Sequence, residues 1–399
     1  MSDGPLATRV RSSPTAELEG KVEALIAKGV DVCRLGLGEP DIATPEHVRE
    51  AAIKAVREGF SHYTSTAGII ALRQAAADRL RDDIGVPYAA EEIVMSVGGK
   101  QAIFNALAAL CGQGDEVLIP VPYWVSFPEQ VRLVGGTPVF VPGQESRGHR
   151  VAVADLERHA TARTRILVIN SPNNPSGAVY TAAELDEIAR FCIARDIWVI
   201  SDEVYRAFTY TGAGHVSIAT RPGMRERTVV VDAVSKTYGM TGWRIGYAAA
   251  PVAVAKAMTA VQSHVTSNPT SIAQRAALAA LAGPQDWIRA VRDDYAQRRV
   301  VLFDGVSALP YLRCAIPDGS FFLWVDASGW VGRDLGGRTI GSVEDLATIL
   351  LDEARVAVMP GAGFGTPTHV RMSFAAPLDE LREGIGRMRA FLGAPATVA

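Results

Sequence analysis

Between about Glu46 and His264, short and almost wholly apolar runs alternate with stretches whose apolar residues recur at helical spacing. Apolar runs without polar alternation are buried on both faces, as in parallel strands covered by helices. Ile93 to Val97, Glu116 to Pro120, Pro138 to Val141, Arg165 to Asn170, Ile197 to Asp202, Thr228 to Val234 and Arg244 to Ala250 read as strands. Helical stretches such as Gln101 to Cys111 and Ala182 to Arg195 lie between them, with glycine turns at Gly112-Gln113-Gly114-Asp115 and Gly135-Gly136. After His264 the texture changes. Gln285 to Leu309 reads as a long amphipathic helix, and Phe321 to Asp326, Val356 to Met359 and His369 to Phe374 read as strands around a helix from Ser342 to Ala354. The expectation is an α/β chain with a large domain over residues 46–289, built on a mainly parallel seven-stranded sheet. Residues 1–45 and 290–399 then form a smaller α/β domain.

A length of 399 residues suits such a two-domain enzyme. The formal net charge of -3 is spread along the chain, which leaves no basic stripe for nucleic acid. No apolar run reaches the length of a membrane span. Partners are therefore expected to be small molecules. Cys33, Cys111, Cys192 and Cys314 lie far apart and read as reduced core thiols. Met1 to Ser13 carries Arg9 and Arg11 but no apolar core with a cleavage site, so the reading is no secretory signal and a cytoplasmic location.

The chemistry gathers at the ends of the apolar runs, where open α/β sheets place their ligands. Lys236 follows one run in Asp232-Ala233-Val234-Ser235-Lys236, with Arg244 eight positions on. A lysine desolvated at a strand end can act as nucleophile and base, and Ser235 and Arg244 offer donors for a phosphate. That combination suits a Schiff base to pyridoxal phosphate, although a Ser-Lys pair alone is an ordinary turn. Val97-Gly98-Gly99-Lys100-Gln101 turns a strand into a helix and leaves N-H groups for an anion, without the spacing of a Walker loop. Gly361-Ala362-Gly363-Phe364-Gly365 lies outside any βαβ unit and reads as a turn. Asp202 ends another run, where it is either a helix cap or the partner of a protonated pyridine nitrogen, with Tyr205 three residues on. Asn174 sits in a proline-braced loop, and Trp124 either stacks on a planar ring or packs in the core.

In their chain order these segments resemble the class I and II aminotransferases of the fold-type I pyridoxal-phosphate enzymes, over nearly the whole chain. Leu35-Gly36-Leu37-Gly38-Glu39-Pro40-Asp41, His62-Tyr63-Thr64-Ser65-Thr66-Ala67-Gly68 and His369-Val370-Arg371-Met372-Ser373-Phe374 resemble further motifs of that family. Gly-Gly-Lys-Gln and Pro-Tyr-Trp are similar to the bacterial aspartate aminotransferase subgroup. The resemblance implies pyridoxal 5'-phosphate as cofactor, held by Lys236 as an internal aldimine, with Lys236 then carrying the substrate α-proton. It implies Asp202 on the pyridine nitrogen, Tyr205 and Asn174 on the phenolic oxygen, and Trp124 against the ring. Gly99, Lys100, Ser235 and Arg244 would hold the phosphate, joined by Tyr63 of a second subunit in a homodimer. Arg371 would grip the substrate carboxylate together with Asn174 and Gly38.

Two positions depart from the family pattern. Ala233 stands where many members carry a phosphate-binding serine, and Asp41-Ile42-Ala43 lacks the usual aromatic, which is expected to reshape the substrate pocket. The subgroup resemblance implies that Lys100 and a hydroxyl on the N-terminal segment, Ser13 or Thr15, meet the distal carboxylate of aspartate or glutamate. The expected reaction is amino transfer from an aspartate-like amino acid to a 2-oxo acid such as 2-oxoglutarate. An aromatic or prephenate aminotransferase, with Trp124 and Phe364 lining a flat pocket, is the alternative, as is a lyase, decarboxylase or oxidase on the same fold. A cofactor-sensing transcription regulator is the alternative outside enzymes.

Overall fold

The computed structural model describes residues 10, 12–335 and 337–393. Arg9 and Arg11 lie outside them. The large sheet contains β1 (Ile93–Ser96), β2 (Glu116–Val121), β3 (Thr137–Pro142), β4 (Thr164–Asn170), β5 (Trp198–Asp202), β6 (Thr228–Ala233) and β7 (Gly246–Ala249). Their order is β1-β7-β6-β5-β4-β2-β3, and β7 alone runs antiparallel to its neighbours.

The reason for the unbroken apolar runs is visible in β4. Ile166 and Val168 pack with Ala102, Ile103 and Ala106 of the helix Gly98–Leu110. Leu167 and Ile169, pointing the other way, pack with Leu185 and Ile188 of the helix Ala182–Ala194. Successive residues of a strand face opposite sides, so both faces of the sheet are covered by helices.

A second sheet has the order β12-β13-β9-β8, where β8 is Arg313–Cys314, β9 Phe322–Asp326, β12 Met359–Pro360 and β13 His369–Ser373. Its core joins Phe321, Phe322, Val370 and Phe374 to Leu302 and Val306 of the helix Asp286–Ser307. Two-residue strands β10 (Asp334–Leu335) and β11 (Arg338–Thr339) form a hairpin.

Several boundaries differ from expectation. Val356 to Met359 is not a strand: Val356 makes only an isolated bridge to Cys33, because the chain there pairs briefly with the N-terminal segment before entering β12. The helix expected from Gln101 begins at Gly98, so both glycines belong to its first turn. Lys236 does not end a strand but lies in a helical turn, Val234–Thr237, just past β6. Arg244 precedes β7 in a left-handed conformation, with φ 57°.

Gly246, in β7, faces the Gly98-Gly99 backbone so closely that an added Cβ would collide with the Gly99 nitrogen. Neither partner is a flexible side chain, so the backbone must move. Gly246→Ala is expected to destabilise the protein by about 1–3 kcal/mol, read as a lower denaturation midpoint. A midpoint equal to the wild type would show that this contact does not set the turn.

Candidate active site

A cavity of about 410 Å³ opens beyond the C-terminal ends of β1, β4, β5 and β6. Gly99, Lys100, Asn170, Asp202, Ser235 and Lys236 line one side of it. The helix Pro14–Ile26, Gly36 to Glu39, Met359 and Arg371 close the other. Trp124, Asn174, Tyr205 and Arg244 also line it. The residues expected to hold the cofactor and the substrate carboxylates are therefore gathered in one space, except Tyr63 and Ser13.

Lys236 donates from Nζ to the Gly38 carbonyl at 2.6 Å. Burial lowers its pKa to about 8, with Arg371 and Arg244 adding to the effect and Glu39 opposing it. Burial thus brings the neutral amine much closer to neutral pH than in an ordinary lysine, which favours a nucleophile or base.

Asp202 is buried, and among the described residues its carboxylate accepts only the Val204 N-H, at 3.3 Å. No helix starts there, so it is not a cap. Burial, with the nearby Asp232 and Glu203 carboxylates, raises its pKa to about 7, and Lys236 only partly offsets this. Such a group calls for a hydrogen-bonding cation.

Arg371 is 2 % exposed and has no carboxylate partner among the described residues. Its Nη1 donates to Asn174 Oδ1 and its Nη2 to the Gly36 carbonyl, each at 2.9 Å, while Nε is unpartnered. The guanidinium lies 4.2 Å from the Phe322 ring centroid. Burial lowers its pKa to about 10. Asn174 in turn hydrogen-bonds the Tyr205 hydroxyl.

At the N-terminus of the helix Gly98–Leu110, Arg244 donates to the carbonyls of Thr241 (2.9 Å) and Val97 (3.4 Å). Gly98 has φ +79°, and an added Cβ would strike the Arg244 guanidinium. Free amides at a helix start with a guanidinium beside them make an anion cradle. Lys100 stands 5.1 Å from the Trp124 ring centroid, and burial and then Arg244 lower its pKa. Thr15 lines the cavity, whereas Ser13 reaches it only through its hydrogen bond with Thr15, at 2.7 Å.

Some expectations fail. Ile42 is not at the cavity: Asp41 is tied to Tyr295 (2.9 Å) and Arg298 (2.6 Å), and Ile42 packs on Gly239 and the smaller sheet's core. The missing aromatic therefore leaves the pocket wall untouched. Phe364 is fully buried behind Arg371, against Trp324, and does not line a flat pocket. Tyr63 is 91 % exposed and outside the cavity of its own chain. Asn170 was missed. It lines the cavity, donates to the Asp202 carbonyl at 3.0 Å and accepts from the Asn174 N-H at 2.8 Å. An amide ending an otherwise apolar strand was its only signal.

This topology, with a desolvated lysine and a buried carboxylate lacking its own cation in one cavity, places the chain among the fold-type I pyridoxal-phosphate enzymes. Residues 30–388 match the model of aminotransferase class I and II, and the chain belongs to that family. It is 44% identical to an aspartate aminotransferase of Geobacillus stearothermophilus over 395 residues, 98% of this chain and 100% of the relative. It is 43% identical to a probable aspartate/prephenate aminotransferase of Aquifex aeolicus, over 96% of this chain and 98% of that one. The crystal structure of the aspartate aminotransferase from Rhizobium meliloti superposes with a TM-score of 0.93, at 37% identity, covering 98% of this chain and 99% of that chain. The protein is thus a pyridoxal-phosphate-dependent aminotransferase, and the lyase, decarboxylase and oxidase readings give way. The residues fit the cofactor: an amine for its aldehyde, a carboxylate short of a cation for its pyridine nitrogen, and an anion cradle for its phosphate.

The Asp202 shift makes a stability prediction for the apoprotein. Its folded pKa lies above the unfolded value of about 3.9, so its contribution is favourable below pH 4 and is lost as pH rises through 7. Asp202→Asn is expected to stabilise the apoprotein at pH 8 by on the order of 2 kcal/mol, and by almost nothing at pH 4. Denaturant titration at both pH values measures this, and equal effects at the two would contradict the shift.

Proposed function

We propose that this aminotransferase takes the amino group from an aspartate-like L-amino acid and delivers it to a 2-oxo acid such as 2-oxoglutarate. The observation that carries the reading is a pair of cations, Arg371 and Lys100, that line one cavity with Lys236 and have no carboxylate partner among the described residues. Two unpaired cations suit a substrate with two carboxylates. The names of the Geobacillus and Rhizobium relatives support the same donor.

Bound pyridoxal phosphate supplies the carbonyl that receives the amino group and the ring that takes up electrons from the α-carbon. The chain does the rest. Arg371 holds the α-carboxylate as a bidentate pair, helped by Asn174 and the Gly38 backbone. Lys236 Nζ removes the α-proton and returns it, a task suited to an amine whose pKa burial has brought to about 8. Asp202 keeps the pyridine nitrogen protonated, Tyr205 and Asn174 hold the phenolic oxygen, and Trp124 lies against the ring. The Gly99 and Lys100 amides, Ser235 and Arg244 bind phosphate. Lys100 and Thr15 meet the distal carboxylate.

The loop that carries Tyr63 is pinned at its back: Gln274 donates to Thr64 Oγ1 at 3.0 Å and accepts from Ile69, and Gln262 donates to the Thr66 carbonyl. A fully exposed tyrosine on a pinned loop supports a homodimer in which Tyr63 completes the phosphate site of the partner subunit. Residues 46–289 form the cofactor-binding domain in this reading, with residues 1–45 and 290–399 as the smaller one. No helix among the described residues is long and apolar enough to cross a membrane, and the reading places the enzyme in the cytoplasm. Trp124 beneath Lys100 favours a second reading, a ring-bearing substrate that keeps a distal carboxylate, in line with the name of the Aquifex relative.

Lys236→Ala is expected to abolish the lysine-linked absorption of the purified protein and nearly all turnover; retained turnover would refute the assigned base. Lys100→Ala is expected to raise KM for aspartate by roughly tenfold or more, the worth of one charge-assisted hydrogen bond, and to change KM for a neutral aromatic donor much less. A donor panel with 2-oxoglutarate measures both, and equal changes would remove the dicarboxylate argument.

A further inference from the structure

Beside the carboxylate that faces the cavity stands another that the mechanism does not use. Glu203 follows Asp202 directly, and its side chain is 1% exposed. Three donors converge on it: Ser201 Oγ at 2.8 Å and Ser217 Oγ at 2.6 Å on Oε1, and His215 Nε2 at 2.8 Å on Oε2. Burial opposes the charged form, but His215 and the two hydroxyls outweigh it and bring the pKa below the ordinary carboxylate range. Glu203 therefore stays ionised inside the protein.

A buried, hydrogen-bonded charge is a poor source of stability, since apolar residues of similar size serve as well or better. What a charge at this position does, and an apolar side chain would not, is act on its neighbour. Asp202 is tethered weakly by its own side chain, to one N-H at 3.3 Å. Its peptide is held firmly instead: the Asp202 carbonyl accepts from Asn170 Nδ2 (3.0 Å) and the Ser171 N-H (3.1 Å), and the Glu203 N-H donates to the Val231 carbonyl at 2.9 Å. Pinning the Glu203 side chain fixes the next link of the same strand end. The charged groups that act on Asp202 are Glu203, Asp232 and Lys236. Asp232 is already matched by Arg206 and by the Tyr247 hydroxyl. On the far side of Glu203 the titratable groups are His215 and the buried Tyr88 hydroxyl.

We infer that Glu203, pinned by His215, Ser201 and Ser217, is a positioning residue that sets both the place of the Asp202 carboxylate and its affinity for a cation. The inference rests on the reading of Asp202 as the partner of the pyridine nitrogen. A fixed negative charge next to Asp202 strengthens that carboxylate's hold on a proton and raises the affinity of the site for a protonated ring.

The test compares Glu203→Gln, which keeps the shape, with Glu203→Leu, which keeps only the volume, each as purified apoenzyme reconstituted with pyridoxal phosphate. Both remove the charge. Both are expected to weaken cofactor binding by roughly threefold or more and to lower the pH midpoint of the bound cofactor's visible absorption by about half a unit. Their melting temperatures are free to differ. A wild-type midpoint in a Glu203→Gln enzyme that binds cofactor, or midpoints that follow melting temperature rather than charge, would overturn the inference and leave Glu203 a structural tie. Asp202→Asn is measured alongside. If it moves the midpoint and Glu203→Gln does not, only this inference fails, whereas an unmoved midpoint in Asp202→Asn removes the reading of Asp202 itself.

Discussion

Arg371 is buried without an acid, and much of the cavity is arranged to keep it that way. Desolvating a guanidinium costs several kcal/mol unless its N-H groups find acceptors. Here the acceptors are neutral. The Gly36 carbonyl, the Asn174 amide and the face of Phe322 share the charge among three segments far apart in the chain. A carboxylate in their place would have given a quiet, closed ion pair. Neutral acceptors leave the guanidinium under-neutralised, so the remaining attraction is available to a substrate.

The same distinction runs through the molecule. Away from the cavity, buried charges have partners: Asp232 has Arg206, Glu116 has Arg163 at 2.6 Å, and Glu203 is held by hydrogen bonds from Ser201, Ser217 and His215. Inside it, Lys236, Lys100, Arg244 and Arg371 gather with no ion-pair partner among the described residues, opposite an Asp202 that has no cation of its own there. Desolvation disfavours the charged forms of Lys236, Lys100, Arg371 and Asp202. Functional sites commonly hold such strain, which the packing elsewhere must outweigh. Both sheet faces and the aromatic cluster under β9 and β13 supply that packing.

How much of this was legible depended on whether a signal was local. Strands buried on both faces appear as continuous apolar runs, so all seven strands of the large sheet were readable within two residues or so. The four residues from Val356 to Met359 looked the same, yet Val356 makes only a single bridge to Cys33 and only Met359 enters β12, because a short apolar run does not say what lies beside it. Site residues at strand ends, such as Asp202 and Asn174, stood out against apolar neighbours. Ile42 and Phe364 did not betray their direction: both are near functional residues in sequence, and both turn away from the cavity because stronger packing claims them. Glu203 was hidden for a related reason. Its partners, His215 and Ser217, come from a loop more than ten residues downstream, and nothing in the sequence joins them.

The phosphate end of the cavity shows why the chain's two glycine positions matter more than the missing serine. Gly98 turns the backbone through a left-handed φ and leaves room for the Arg244 guanidinium, while Gly246 lets β7 press against the Gly98-Gly99 peptide. Arg244 itself sits in a left-handed conformation, an uncommon state for a non-glycine residue. Two left-handed residues and one close backbone approach converge on one place, so the helix start, the guanidinium and Ser235 face the same space. A cradle of this kind draws its affinity from oriented amides and a permanent cation. One hydroxyl more or less, as at Ala233, is a smaller matter, because a divalent anion is held chiefly by charge and by the amides that cannot turn away.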